Sequence, residues 1–261
     1  ALAGGVDLHE NVGSKGYLFS PKGILSADGH CRPLDKDATG GVPSSGAGIV
    51  VLKALEAALR DGDAIYAVIK GSAVSNDGSE KLQFIAPGEL GQVQAISEAL
   101  LDAGATVADI AFVELNGSGN PYGDAMELCA LRKVFADRAA TPAPCYLGSL
   151  KGNYGHLGVA SGIAGLLKTA LALSLGSIPP TINHTEPREE LTECPFKVNT
   201  EPTPWPETPK KMAGVSSFGA GGTNVHVVLT QAPEGAVVQR KQQQPPLSMS
   251  AALAQSEYIY E

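Results

Sequence analysis

The run IAFVEL at residues 110–115 constrains the fold more than any other stretch of the chain. It is continuously apolar, so it reads as a strand buried on both faces of a sheet, and such strands occur where helices cover both sides. The glycine-spaced polar turn NGSGNPYGD follows, and a helix is expected over 124–136. A strand, turn and helix in that order put Asn116 and Ser118 at the carboxyl end of the strand, where open α/β sheets hold ligands. An ordinary strand–turn–helix junction has the same appearance.

The rest of the chain repeats this rhythm. GAGIVVLKALEAALRDG, from Gly46, reads as a strand turning into a helix stopped at Asp61-Gly62, and AIYAVIKGSAVSND as a second strand. In 91–104 the spacings of three and four place Val93, Ile96, Leu100 and Leu101 on one helical face, closed by Gly104. CYLGSL is another strand. The apolar segment 159–175 carries Ser161, Lys168 and Ser174, which favours a buried central helix over a membrane span. Such alternation argues for α/β layers. Proline-rich loops (IPPTINHTEP, NTEPTPWPETPKK) precede MAGVSSFGAGGTNVHVVLTQ, which reads as strand, glycine-rich turn and final strand. At the front, ALAGGVDL is a short strand with no cap or polar leader, expected to be a cut end. The Gly-, Pro-, Asp- and Ser-rich stretch 14–45 is long and irregular, as functional loops are. Beyond about residue 232 the sequence turns polar and proline-rich, a linker with room for helix at its end.

Composition excludes several classes. With 261 residues and 43% apolar content the chain has enough material for a folded core. Its net charge of −8 argues against a nucleic-acid partner, since that affinity comes from Lys and Arg neutralising phosphates. No run of about eighteen apolar residues and no signal-like leader is evident, so the expectation is a cytoplasmic protein with no membrane partner. Cys31, Cys129, Cys145 and Cys194 form no C-x-x-C pair, which fits reduced thiols and neither a metal site nor a disulfide framework.

Three further segments carry candidate chemistry. In KGNYGH (151–156) a histidine beside a lysine at a helix start is suited to donate a hydrogen bond to a developing oxyanion, although a lone histidine is more often structural. SSFGAGGTN (216–224) brings backbone N–H groups close to a ligand, as a phosphate cradle or an oxyanion hole would. It lacks the P-loop pattern. DGHCRPLD (28–35) holds Cys31, a weak nucleophile candidate with no base in view.

The ordered series ALAGGV, ILSADGHCRPLD, VIKGSAVSNDG, VELNGSGNPYGD, LGSLKGNYGHLGVASGIAGLLK, IPPTINH and GVSSFGAGGTNVHVVL resembles modular polyketide-synthase ketosynthase domains over roughly residues 1–230. The resemblance implies a thiolase-like αβαβα fold, present in part. Residues 1–63 would be the remainder of its N-terminal half, 64–231 its C-terminal half, and 232–261 a linker or tail.

Ketosynthases of this type use a cysteine nucleophile, a histidine in H-G-T-G-T and a histidine in K-x-N-x-G-H. The last motif stands complete as Lys151 to His156; the other reads Asn116-Gly117-Ser118-Gly119-Asn120, with Asn116 in place of histidine. An amide donates hydrogen bonds but carries no proton or positive charge near neutrality. The pattern is similar to non-elongating ketosynthases of trans-acyltransferase assembly lines, which hand on an acyl chain without lengthening it. The family's cysteine lies in a block before ALAGGV, so the resemblance implies a partner half bearing it, in a separate chain or in a missing part of this one. It also implies a homodimeric assembly, an acyl carrier protein whose phosphopantetheine brings the acyl group, and no cofactor bound in this chain. Phe218, Gly219 and Ala220 would line the oxyanion and pocket loop, with Ala220 leaving a roomier acyl pocket. Lys151 and Glu127 would brace the site, and Ser118 and Asn120 would lie on the pantetheine side. GGVPSSGAG (40–48) departs from the family's Arg-Gly-Glu-Gly form. Two alternatives stay open: a non-catalytic subunit shaping an active partner's pocket, and a condensing enzyme in which Asn116 suffices.

Overall fold

The computed structural model describes residues 1–9, 16–21, 23–80, 88–140, 143–192, 194–208 and 210–236. The expected run is strand β4 (Ile110–Glu114), and all of its residues are buried. It lies inside a mixed six-stranded sheet of order β3-β10-β9-β4-β5-β7, formed with β3 (Ala67–Asn76), β5 (Cys145–Gly148), β7 (Phe196–Val198), β9 (Met212–Phe218) and β10 (Thr223–Gln231). β4 runs parallel to β5 and β9, and β10 is antiparallel to β9 and β3. Short pairs complete the strands: β1 (Leu2–Asp7) with β2 (Gly46–Val51), and β6 (Ser177–Ile178) with β8 (Thr203–Pro204).

Helices α2 (Glu89–Ala103) and α3 (Pro121–Val134) cover one face of the sheet, enclosing Ile96, Leu100, Leu128, Leu131 and Val113. Helix α5 (Ser161–Leu175) covers the other, with Phe112, Leu173 and Val215 in its core. The second side of α5 receives β1–β2. There Gly48 sits so close to α5 that an added Cβ would come within 3.0 Å of Ile163 and Leu167. The layers therefore run helix, sheet, helix, sheet. Helix α1 (Leu55–Asp61) ends at Gly62 in a left-handed cap, and α2 ends likewise at Gly104, as read from the sequence.

Several expectations need correction. Leu101 is 81% exposed, so it is not on the buried face of α2. The stripe is completed by Gln92, Ala95, Ala99 and Ala103, small or polar residues that the pattern of large apolar side chains passes over. CYLGSL is strand only to Gly148, and the chain then turns into α4 (Lys151–Tyr154). By length and composition alone Gly158–Leu175 suffices to cross a membrane, and only 28% of it is buried. Helix α5 is therefore central in position, between the six-stranded sheet and β1–β2, but only partly buried there. The tail expected to hold helix lies, from 237 onward, outside the described residues.

Candidate active site

The carboxyl ends of β4, β5 and β9 bring three polar segments together. After β4 the chain enters 115–120. Gly119 takes φ +72 there, and a Cβ would lie 2.9 Å from the Gly40 oxygen and 3.1 Å from the Cys31 sulfur. Glu127 of α3 turns its buried carboxylate back on this turn, where Oε1 accepts from the Asn116 N–H and Oε2 from the Gly117 N–H, each at 2.8 Å. Lys151, the first residue of α4, donates from Nζ to the Asn116 carbonyl and, at 3.3 Å, to its Oδ1. The Phe218 N–H, at the end of β9, donates to the same Oδ1 at 3.4 Å. The Asn116 side-chain oxygen is thus committed as an acceptor, and its NH2 faces away from the ammonium.

His156 leaves α4 through a backbone clasp, its N–H donating to Val42 at 2.7 Å and its carbonyl accepting from Ser44 at 3.0 Å. Its Nδ1 accepts from the Gly158 N–H at 3.1 Å and lies 3.4 Å from the Ser161 hydroxyl. A ring that accepts at Nδ1 carries its proton on Nε2. Burial, and then the charge of Lys151, push its pKa down to about 4. At neutral pH the imidazole is therefore an uncharged Nε2–H donor. Burial also lowers the pKa of Lys151, against the opposing pull of Glu127 and Glu114. Glu127 is pushed up to about 7 by burial, opposed by its two N–H donors.

A cleft of about 240 Å³ opens beside these groups, lined by Cys31, Val42, Ser44, Lys151, Tyr154 and Asn183 among others. Its outer wall is the DGHCRPLD loop, whose role is structural. Buried Asp35 accepts from the Thr185 N–H at 2.6 Å, the Thr185 hydroxyl at 3.0 Å and the Glu186 N–H at 3.0 Å. Leu34, at φ +61, donates to Asp124 at 2.9 Å, and Asn183 donates to the Cys31 carbonyl at 3.1 Å. The Cys31 thiol faces the Ser118 carbonyl at 3.3 Å, and burial raises its pKa to about 12. Such a thiol stays protonated and inert. Cys145 is raised to about 12 in the same way.

Comparison with known proteins meets this geometry. Residues 1–58 match the family described as beta-ketoacyl synthase, N-terminal domain; residues 66–185 match its C-terminal domain, and 186–257 match the ketoacyl-synthetase C-terminal extension. The chain belongs to the β-ketoacyl synthase family. Its fold is thiolase-like, and it is similar to the ketosynthase domains of modular polyketide synthases. A phenolphthiocerol/phthiocerol polyketide synthase of Mycobacterium tuberculosis is 48% identical over 239 residues, covering 89% of this chain and 16% of that protein. Erythronolide synthase EryA3 of Saccharopolyspora erythraea is 40% identical over 238 residues, covering 90% of this chain and 7% of that protein. Among solved structures, ketosynthase twelve of the bacillaene polyketide synthase from Bacillus amyloliquefaciens superposes with a TM-score of 0.83 at 35% identity, over 89% of this chain and 42% of its own. The chain thus spans less than half the length of each of these relatives.

In this family member the remaining expected site residues fall at two places. Phe218 leads into the β9–β10 turn, where Gly219 and Ala220 are exposed at the tip. The Gly219 N–H donates to Thr223 at 2.8 Å, and buried Asn224 pins the base of the turn to Asp77 at 2.7 Å. Ser118 and Asn120 serve local structure: Asn120 caps α3, its Oδ1 accepting from the N–H groups of Tyr122 and Gly123, each at 3.1 Å, and Ser118 Oγ accepts from the Asn120 N–H at 3.4 Å. Sequence reasoning missed Glu114, Asp124 and Lys168. The available signal was a charge inside an otherwise apolar strand or helix, since buried charges must find partners.

Proposed function

We propose that this ketosynthase passes an acyl chain between acyl carrier proteins without decarboxylative condensation. The observation that carries the reading is Asn116. It stands where the family places a histidine, its oxygen faces the Lys151 ammonium and the Phe218 N–H, and it has no proton to exchange near neutrality. His156, uncharged and donating from Nε2, suits the other half of the chemistry. It polarises the thioester carbonyl while a cysteine thiolate adds to the carbon; collapse then expels the pantetheine thiolate and leaves the acyl group on the cysteine. A second thiol reverses the step. The cysteine and its backbone N–H belong to an N-terminal ketosynthase half outside this sequence, and the acyl group arrives on carrier-bound phosphopantetheine. Residues 1–63 serve as the remainder of the N-terminal half of the fold, 64–231 as its C-terminal half, and 232–261 as a linker or tail.

The test is carbon dioxide release from malonyl carrier protein by the assembled ketosynthase. The parent should load an acyl group yet release no carbon dioxide, and Asn116→His should gain release. Comparable release by both would overturn the assignment. A second reading, a non-catalytic subunit, is favoured by the inertness of Cys31 and Cys145 and by likeness to the solved PfaC keto synthase-chain length factor, at a TM-score of 0.79 and 37% identity. Failure of any acyl loading by the assembled protein would select it.

A further inference from the structure

A buried ion pair lies beneath the site. Lys168 Nζ of α5 donates to Glu114 Oε2 of β4 at 2.6 Å, with side chains 9% and 2% exposed. The other carboxylate oxygen, Oε1, accepts from the Leu150 N–H at 2.7 Å, so Glu114 grips the peptide next to Lys151. One carboxylate therefore links β4, which delivers Asn116, to α4, which begins with Lys151, and to α5, whose leading turn holds Nδ1 of His156. A small cavity lined by Glu114, Leu150, Lys151 and Ser161 adjoins it. Desolvating two charges is costly, and a well-packed apolar pair of similar volume often serves stability as well or better. Packing alone gives no reason for charge here.

We propose that Glu114 and Lys168 are positioning residues of the site, fixing the placement of Lys151 and tuning how firmly it keeps its proton. The groups facing Lys151 are Glu127 and Asp124 from α3, Glu114 from β4 and Cys31 from the cleft wall. Of these, and among the described residues, Glu114 alone is itself held by a cation within 3 Å. Lys168 thus sets how much of the Glu114 charge Lys151 feels. The inference rests on the reading of Lys151 and His156 as the working site, but its test does not need turnover.

The experiment follows the titration of Lys151 by NMR of 13C-lysine in the assembled ketosynthase, assigned by loss of the signal in Lys151→Gln. Glu114→Gln keeps the shape and the Leu150 contact but removes the negative charge, so the Lys151 midpoint should fall by about one pH unit. Lys168→Met releases the Glu114 charge toward Lys151, so the midpoint should rise. Opposite signs are an electrostatic signature that loosened packing does not produce, and Phe112→Leu, which disturbs the same contact region without a charge, should leave the midpoint in place. The double variant Glu114→Gln/Lys168→Met leaves no orphan charge and is read if a single variant does not fold; its midpoint should fall. Shifts of one sign in both single variants, or no shift in the folded double variant, would overturn the proposal. Opposite shifts in a protein that never loads an acyl group would count against the proposed function and leave the positioning pair standing.

Discussion

At the scale of residues the site is a set of groups whose ionisation burial shifts: His156 and Lys151 downward, Glu127 upward. On the proposed function, with Asn116 as the partner, His156 is the family histidine left to polarise a thioester. Removal of one preorganised oxyanion donor slows such reactions about 10²–10³-fold, and His156→Ala should slow acyl loading by that order, read by mass spectrometry. His184, whose Nδ1 contacts the Pro33 carbonyl at 3.2 Å in the cleft wall, is the control, and His184→Ala should change loading little. The pH dependence of stability has a definite sign. His156 and His226, each lowered to about 4, take up protons below the usual 6.5 only when unfolded, so they stabilise the fold as pH rises from about 4 to 6.5. Glu127, raised from 4.5 to about 7, binds its proton more tightly in the fold and acts oppositely: its contribution is lost as pH rises through that window. Glu127→Gln should therefore make the melting temperature of the assembled protein climb more steeply between pH 4.5 and 7 than in the parent.

At the scale of elements, the start of α5 depends on one tight contact. Gly158 takes φ +51, and an added Cβ would lie 1.5 Å from Asp7 Oδ2, the oxygen that accepts from the Val159 N–H at 3.0 Å. Left-handed backbone alone costs a residue with a side chain about 1–2 kcal/mol. Gly158→Ala should therefore lower stability by at least that much and weaken acyl loading, because Gly158 also donates to His156. Asp7→Ala in the same chain should recover only the clash, as denaturant melts would show. This dependence was invisible in the sequence, where LGVASG looks like any small-residue entry to a helix. What was legible followed local periodicity or turn chemistry: β4 and its polar turn, the left-handed stop at Gly104, and the glycine turn between β9 and β10. What was not legible joins residues far apart. Glu114 and Lys168 are 54 positions apart, and a carboxylate ending an apolar strand gives no hint of which cation it meets. The alanine stripe of α2 failed for another reason, because close helix–sheet approach selects small side chains that a search for large apolar ones discounts.

At the scale of the molecule, the outer face of β1–β2 is apolar and exposed among the described residues. Register places Leu2 opposite Val51, Gly4 opposite Ile49 and Val6 opposite Ala47, and Leu2, Val6, Ile49 and Val51 are 74%, 58%, 69% and 78% exposed. A contiguous apolar face of this kind marks an interface or an aggregation surface. The isolated chain is expected to aggregate and to become monodisperse, two copies of each half, only with an N-terminal ketosynthase half; size-exclusion chromatography with light scattering reads this. Ile49→Lys should make the lone chain more soluble and block assembly, and a monodisperse lone chain with a cooperative melt would contradict the expectation. The Asp35 clamp bears on the order in which the molecule acquires its parts. Its contacts join residues 150 positions apart, and closing so long a loop is entropically unfavourable until the intervening sheet already holds the ends near one another. The cleft wall should therefore form after the folding barrier, and Asp35→Asn should speed unfolding while leaving the refolding rate nearly unchanged. A chain still emerging into its fold would own a sheet, a buried lysine and a histidine before it owned the wall of the cleft beside them.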